Sequence, residues 1–248
     1  MIFFIILGLC IGSFVNVVIL RTIKNQSIVK PRSQCFKCGK TLKFYHLIPL
    51  ISFIFLKGKC AFCNEKISFI YPFNELFCAF LFVYSFLSFE NIFVALIFAC
   101  MLAIFLILSW MDYYLKAVSE IWLWLLFILA IVFDFINGNW KIMYFEETFL
   151  FKACFGAGMI FLLKSLINFF KNFKKRDENL ESLGEGDVII IALIFGIFGY
   201  EKGFFILFVA CFLSFLLFLK IAKKDYQMPM IPFLLCGILV NLSIESMI

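Results

Sequence analysis

Residues 92–112 read IFVALIFACMLAIFLILSWMD. The stretch carries no charge until Asp112 closes it, and its apolar residues do not alternate with polar ones. At 1.5 Å per residue, about 20 such residues make a helix of about 30 Å, the thickness of a bilayer's hydrocarbon core. Lipid offers no partner to peptide groups, so only helices and closed barrels can span it. A continuous, non-alternating run selects the helix.

The same pattern recurs outward from this stretch. The chain has 248 residues, 65% of them hydrophobic and 38 of them Phe. Its mean hydropathy is +1.06. A water-soluble domain of this size does not carry so much apolar surface. The sequence predicts an all-α polytopic membrane protein with about eight transmembrane helices. They lie near residues 2–20, 72–89, 91–110, 120–137, 148–170, 187–200, 203–221 and 229–247. The predicted organisation is a first transmembrane helix (1–20), a cytoplasmic loop (21–71) and a transmembrane region (72–248). The polar stretch 177–182 reads as a loop, and no internal repeat is visible.

Charge sets the orientation. The net charge is +6. From Arg21 to Tyr71 the chain carries Arg21, Lys24, Lys30, Arg32, Lys37, Lys40, Lys43, Lys57, Lys59 and Lys66 against one acid, Glu65. Basic residues in short loops mark the cytoplasmic side. That rule accounts for the patch without a nucleic-acid partner. Lys171, Lys174, Lys175, Arg176, Lys220, Lys223 and Lys224 fall on the same side, while the expected outer loops hold only Lys141 and Lys202. Asp112 and Asp187 are then both cytoplasmic. Met1 to Leu20 lacks a leading basic region and a good cleavage site, so it reads as a retained span with its N-terminus outside.

The basic loop carries two CxxC knuckles, Cys35-Phe36-Lys37-Cys38 and Cys60-Ala61-Phe62-Cys63. Two such pairs at this separation read as a tetrahedral, structural zinc site, because each knuckle gives two thiolates from one turn. Disulfides or a redox pair are the alternatives, and disulfides do not persist in a reducing compartment. Four sulfurs close the coordination shell, so this zinc organises the loop rather than catalyses. Cys10, Cys78, Cys100, Cys154, Cys211 and Cys236 lie in apolar runs and read as small core hydrophobes. The lone histidine, His46, reads as a surface or loop residue.

The acids are the remaining candidates. Asp187 sits in Gly184-Glu185-Gly186-Asp187, at the lip of the run that begins with Val188. Ionisable groups at the edge of the hydrocarbon are costly and are candidates for function. A hydrolytic pair needs two carboxylates near enough to share one proton, with pKa values split by their repulsion. Asp112 and Asp187 can form such a pair if helix packing joins them; otherwise each is an ordinary interfacial acid. Glu75, at the start of its span, is a third candidate, as a substrate- or cofactor-binding acid. Asp134 reads as interfacial and Glu120 as solvated.

Taken together, these residues resemble the type IV prepilin peptidase family over nearly the whole chain. The resemblance rests on Gly12-Ser13-Phe14-Val15-Asn16 with Arg21, on Arg32 to Cys38, and on His46-Leu47-Ile48-Pro49-Leu50-Ile51-Ser52. It continues through Gly58 to Cys63, Ile67-Ser68, Tyr71-Pro72-Phe73-Asn74-Glu75, Asp112, Gly184 to Asp187, and Ile231-Pro232-Phe233. A GxGD motif alone is weak; the ordered set is specific. It implies a membrane aspartyl endopeptidase with Asp112 and Asp187 as the catalytic pair. The implied substrates are type IV prepilins or type II secretion pseudopilins with short basic leaders. It also implies N-methylation of the new N-terminus with S-adenosylmethionine, Glu75 matching a glutamate linked to that step. The implied location is the bacterial inner membrane, in contact with lipid, with the site at the cytoplasmic face. The chain departs from the family at His46, where an aspartate is common, at Ser119-Glu120 in place of Pro-Asp, and at Glu185 in place of glycine. Two other readings stay open: a GxGD intramembrane protease of another substrate class, and a non-enzymatic membrane assembly factor with a zinc-stabilised loop.

Overall fold

The computed structural model describes residues 1–137, 148–174, 184–221 and 228–245. The α-helices among the described residues are α1 (Ile2–Ile23), α2 (Ile51–Phe55), α3 (Ile70–Ser88), α4 (Ile92–Leu115), α5 (Glu120–Ile136), α6 (Phe149–Lys174), α7 (Glu185–Ile221) and α8 (Ile231–Glu245). A single 3₁₀ turn, Phe44–Leu47, precedes α2. Among the described residues, five helices, α1, α3, α4, α6 and α7, are long and apolar enough to cross a membrane. The chain is an all-α polytopic membrane protein. The expected spans 120–137 and 229–247 appear as helices of 17 and 15 residues. Residues 138–147 of the expected outer loop, the polar stretch 177–182 and the basic residues Lys175, Arg176, Lys223 and Lys224 lie outside the described residues.

The expected spans 187–200 and 203–221 are two helical segments of α7 that meet at Gly199 and fold back on each other, the Phe195 ring lying 5.0 Å from that of Phe204. Gly199, at φ 80° and ψ −177°, is the only break. That conformation is open to glycine almost alone, so one residue does the work of a turn.

The chain divides into two compact units, Met1–Ile107 and Leu108–Ile248. In the first, α1 packs on α3 through Gly8 and Gly12. A Cβ on Gly8 would stand 2.6 Å from the Ala79 Cα, and one on Gly12 would stand 2.6 Å from the Glu75 Cα. Glycines four apart let two membrane helices touch at the backbone. In the second unit, α7 packs against α6 and α8. The ring of Phe195 is fully buried, and a Cβ on Gly237 of α8 would stand 2.6 Å from the Ile206 carbonyl.

The outward faces are apolar. Only 17% of the apolar window of α6 is buried within the protein. This corrects the expectation for the cysteines: Cys78 is buried, but Cys10, Cys154, Cys211 and Cys236 are exposed on their helices and Cys100 is half-buried. In a protein solvated by lipid, an apolar residue gains little by turning inward, so apolarity does not predict burial. Asp134, expected to be interfacial, packs inside the protein near the end of α5. It is buried, and its Oδ2 accepts the Phe149 N–H at 3.2 Å. That N–H opens α6 and has no partner within its own helix, which is what draws the acid inward.

Candidate active site and metal loop

In the second unit, Asp112 lies in the last turn of α4. The helix ends at Leu115, and Lys116 follows with φ 54°, its N–H donating to the Asp112 carbonyl at 3.1 Å. Asp112 is 7% exposed, and its Oδ2 accepts the N–H of Ile231 at 3.0 Å. Ile231 is the first residue of α8. A carboxylate at the negative end of its own helix is unfavourable; the positive start of α8 offsets that. This gives Ile231-Pro232-Phe233 a physical role: it presents an unpaired helix-start N–H to Asp112.

Asp187 occupies the first turn of α7, where the helix dipole favours a negative charge. The Gly184 backbone N–H also reaches its carboxylate. The two glycines of the motif do different things. A Cβ on Gly186 would meet Val118 of the α4–α5 connection at 3.1 and 3.3 Å, whereas one on Gly184 would meet only the Asp187 Oδ2 at 3.5 Å. Gly186 therefore lets the start of α7 lie against the chain that leaves Asp112.

Asp112 and Asp187 line one cavity of about 740 Å³. They are near enough that the charge of Asp112 acts on Asp187. Lys116, Glu120 and Glu185 also line it, as do the apolar Leu123, Phe127 and Leu193. Glu120 is exposed, as expected. Lys116, whose charge acts on Asp112, was not among the expected site residues. Its position four residues after Asp112, facing the same way around a helix, was the signal available.

In the first unit, the four cysteines come together. The Sγ atoms of Cys35, Cys38, Cys60 and Cys63 all lie within 4.8 Å of one another. Two sulfurs bound tetrahedrally at 2.3 Å from one zinc stand about 3.8 Å apart. Cys35 and Cys63 are 3.7 Å apart, far beyond a disulfide's ~2 Å bond. The donor set and spacing therefore fit a tetrahedral metal.

The two knuckles repeat one another. Gly39 N–H donates to the Cys35 carbonyl at 2.9 Å and Asn64 N–H to the Cys60 carbonyl at 3.1 Å. Cys35 N–H donates to the Lys40 carbonyl at 3.0 Å and Cys60 N–H to the Glu65 carbonyl at 2.8 Å. Gly39 and Asn64 take matching positive φ values of 68° and 54°, which glycine and asparagine tolerate best. Lys37 of one knuckle pairs with Glu65 of the other. Backbone N–H groups of Cys38 and then Lys37 face the Cys35 sulfur and pull its thiol down to about 6. At Cys63 the Glu65 N–H pulls the same way, but desolvation and the neighbouring thiols outweigh it and push that thiol up to about 11. The lowered partner is the form a metal needs.

Glu75 is 8% exposed on α3, and its Oε2 accepts the Leu50 N–H at 2.8 Å. Beside it, Asn74 donates to the Asn16 Oδ1 at 2.8 Å and Asn16 donates to the Tyr71 carbonyl at 3.0 Å. Arg21, 9% exposed, donates to the carbonyls of Ser27 and Ile28, each at 2.9 Å, and to that of Pro31. His46 is half-buried, its ring 4.4 Å from that of Tyr45 and 5.5 Å from that of Phe62.

Residues 6–89 match the family model of the bacterial peptidase A24 N-terminal domain. A prepilin leader peptidase/N-methyltransferase of Myxococcus xanthus is 49% identical over 81 residues, covering 33% of this chain and 24% of that relative. One of Bacillus subtilis is 42% identical over 102 residues, covering 40% of this chain and 41% of the relative. One of Vibrio cholerae is 44% identical over 84 residues, covering 31% and 33%. The chain thus matches well under half the length of each of these relatives. No solved structure matches it. Residues 6–89, with their first helix, four-cysteine loop and Glu75, match a bacterial peptidase A24 N-terminal domain, and over that stretch the chain is similar to prepilin leader peptidase/N-methyltransferases.

Proposed function

We propose that the chain is a membrane aspartyl endopeptidase that removes the short basic leader from type IV prepilins or type II secretion pseudopilins and N-methylates the new N-terminus. The observation that carries this reading is that Asp112 and Asp187, 75 residues apart, line one cavity. Two carboxylates that approach within hydrogen-bonding reach in such a cavity share one proton. The ionised one takes a proton from water as the water oxygen attacks the scissile carbonyl carbon. The protonated one donates to the carbonyl oxygen. When the tetrahedral intermediate collapses, the C–N bond breaks and the leaving amine takes up a proton from the acid. The α8 amide on Asp112 and the first turn of α7 around Asp187 hold the pair in place.

In this reading the chain divides functionally into the first span (1–20), the zinc loop (21–71) and the aspartyl peptidase region (72–248). Cys35, Cys38, Cys60 and Cys63 hold one zinc, whose closed shell stiffens the loop. The basic leader stays on the cytoplasmic side of the inner membrane by the same charge rule as the loop. S-adenosylmethionine supplies the methyl group, and Glu75 belongs to that half of the activity. Its carboxylate is buried, and one of its oxygens accepts the Leu50 N–H.

Mass spectrometry of a co-expressed prepilin's N-terminus tests both halves at once. The expected product lacks the leader and carries one added methyl. Unprocessed prepilin beside folded, membrane-inserted protein sinks the reading.

A further inference from the structure

Leu50 is held in a backbone conformation that its side chain disfavours. Its φ is 58° and its ψ −48°. Across it, the Ile51 N–H donates to the Pro49 carbonyl at 2.6 Å. This is a γ-turn of the positive-φ form, which is rare and strained for a residue with a Cβ. The turn starts α2, in the middle of the loop that carries the four cysteines.

The turn's own N–H is not used within the loop. It reaches across 25 residues of sequence to the Glu75 Oε2 at 2.8 Å. The Ser13 side chain engages the same carboxylate from α1. The junction is tight: α1 passes so near that Gly12 leaves no room for a Cβ against the Glu75 backbone. Strained backbone persists only where its surroundings over-determine it. A charge-assisted hydrogen bond from a backbone N–H to a buried carboxylate is among the strongest single restraints a side chain can supply.

We propose that Glu75 is a positioning residue: its carboxylate latches the strained Leu50 turn, and with it the metal loop, onto α1 and α3. It serves methyl transfer through that latch rather than as a ligand of the methyl donor. The second statement rests on the reading of Glu75 as part of the methylation half; the latch itself does not. The two roles need different chemistry. A latch needs an acceptor oxygen, which glutamine keeps. A ligand for a cationic sulfonium donor needs the negative charge, which glutamine lacks.

Hydrogen exchange of the intact zinc-loaded protein in lipid nanodiscs, read on the peptide spanning residues 44–56, separates them. Glu75→Ala raises exchange at Leu50 by about tenfold or more, the loss of a buried charge-assisted bond, while Glu75→Gln keeps most of the protection. Methylation of a cleaved prepilin follows the same order, lost in Glu75→Ala and rescued in Glu75→Gln. Leu50→Gly removes the strain without touching Glu75 and slows exchange at residue 50, which decides the matter even if Glu75→Ala does not accumulate. Unchanged Leu50 exchange in Glu75→Ala, or faster exchange in Leu50→Gly, overturns the latch. A Glu75→Gln protein with a protected Leu50 amide and no methylation overturns the positioning role. Absence of methylation by the unsubstituted protein overturns the functional reading alone, and exchange still judges the latch.

Discussion

The metal loop and the carboxylate cavity are built by opposite routes. In the loop, each knuckle is closed by hydrogen bonds spanning four or five residues, and the two knuckles carry nearly the same bonds at nearly the same lengths. Its chemistry is local and repeated. In the cavity, Asp112 at the end of one helix meets Asp187 at the start of another, and a third helix caps the first acid through Ile231. Nothing there repeats. A site made of local turns announces itself by spacing; a site made of helix ends depends on packing far from the reacting atoms.

That contrast can be broken experimentally, and the largest effect is expected at the cavity. Asp112→Asn or Asp187→Asn lowers leader removal by about a thousandfold or more, since either removes one of the two carboxylates that the shared-proton mechanism needs. The protein remains in the membrane at ordinary levels. The assay is the ratio of processed to unprocessed prepilin, and normal processing in either variant refutes the shared-proton mechanism.

Next is the loop. Cys35→Ser removes one of four thiolates, and the bound zinc measured by elemental analysis falls from one per chain towards zero. Cleavage weakens less than in the aspartate variants, because the metal holds no reacting group. Purified intact protein without zinc, or a Cys35→Ser protein as inactive as Asp112→Asn, removes the distinction between a structural and a catalytic region.

A smaller effect sharpens how packing builds the cavity. Gly186→Ala places a Cβ 3.1 Å from Val118 and costs about 1–3 kcal/mol of stability by overpacking. Gly184→Ala, with only an ordinary contact at 3.5 Å, costs less. Thermal unfolding in detergent reads both, and Val118→Ala restores Gly186→Ala. Equal losses at the two glycines would contradict the separate roles assigned to them. The smallest effect belongs to the exposed Lys37–Glu65 pair, whose charges water screens. Lys37→Ala leaves zinc retention under chelator challenge nearly unchanged; a large loss would mean that this pair, and not the backbone bonds, holds the knuckles together.

Much of this was legible in the chain. The apolar runs, the two CxxC pairs and the Gly184–Asp187 motif each place their residues through local spacing, and the structure has helices and a thiol cluster at those positions. The close crossing at Gly8 and Gly12 emerged only in the structure. Burial was not legible. Asp134 went inward and Cys10, Cys154, Cys211 and Cys236 outward, because lipid removes the penalty that sorts apolar residues in water.

By itself the sequence determined that this is a helical membrane protein with a thiol-rich loop, since helix length against bilayer thickness and the reach of a CxxC turn are local quantities. The tertiary structure alone decided which groups meet. It brought Asp112 and Asp187 to one cavity, set the α8 amide on Asp112, and turned Glu75 towards the Leu50 turn. Those contacts depend on helix ends converging across long stretches of chain, and that convergence is a property of the packed whole.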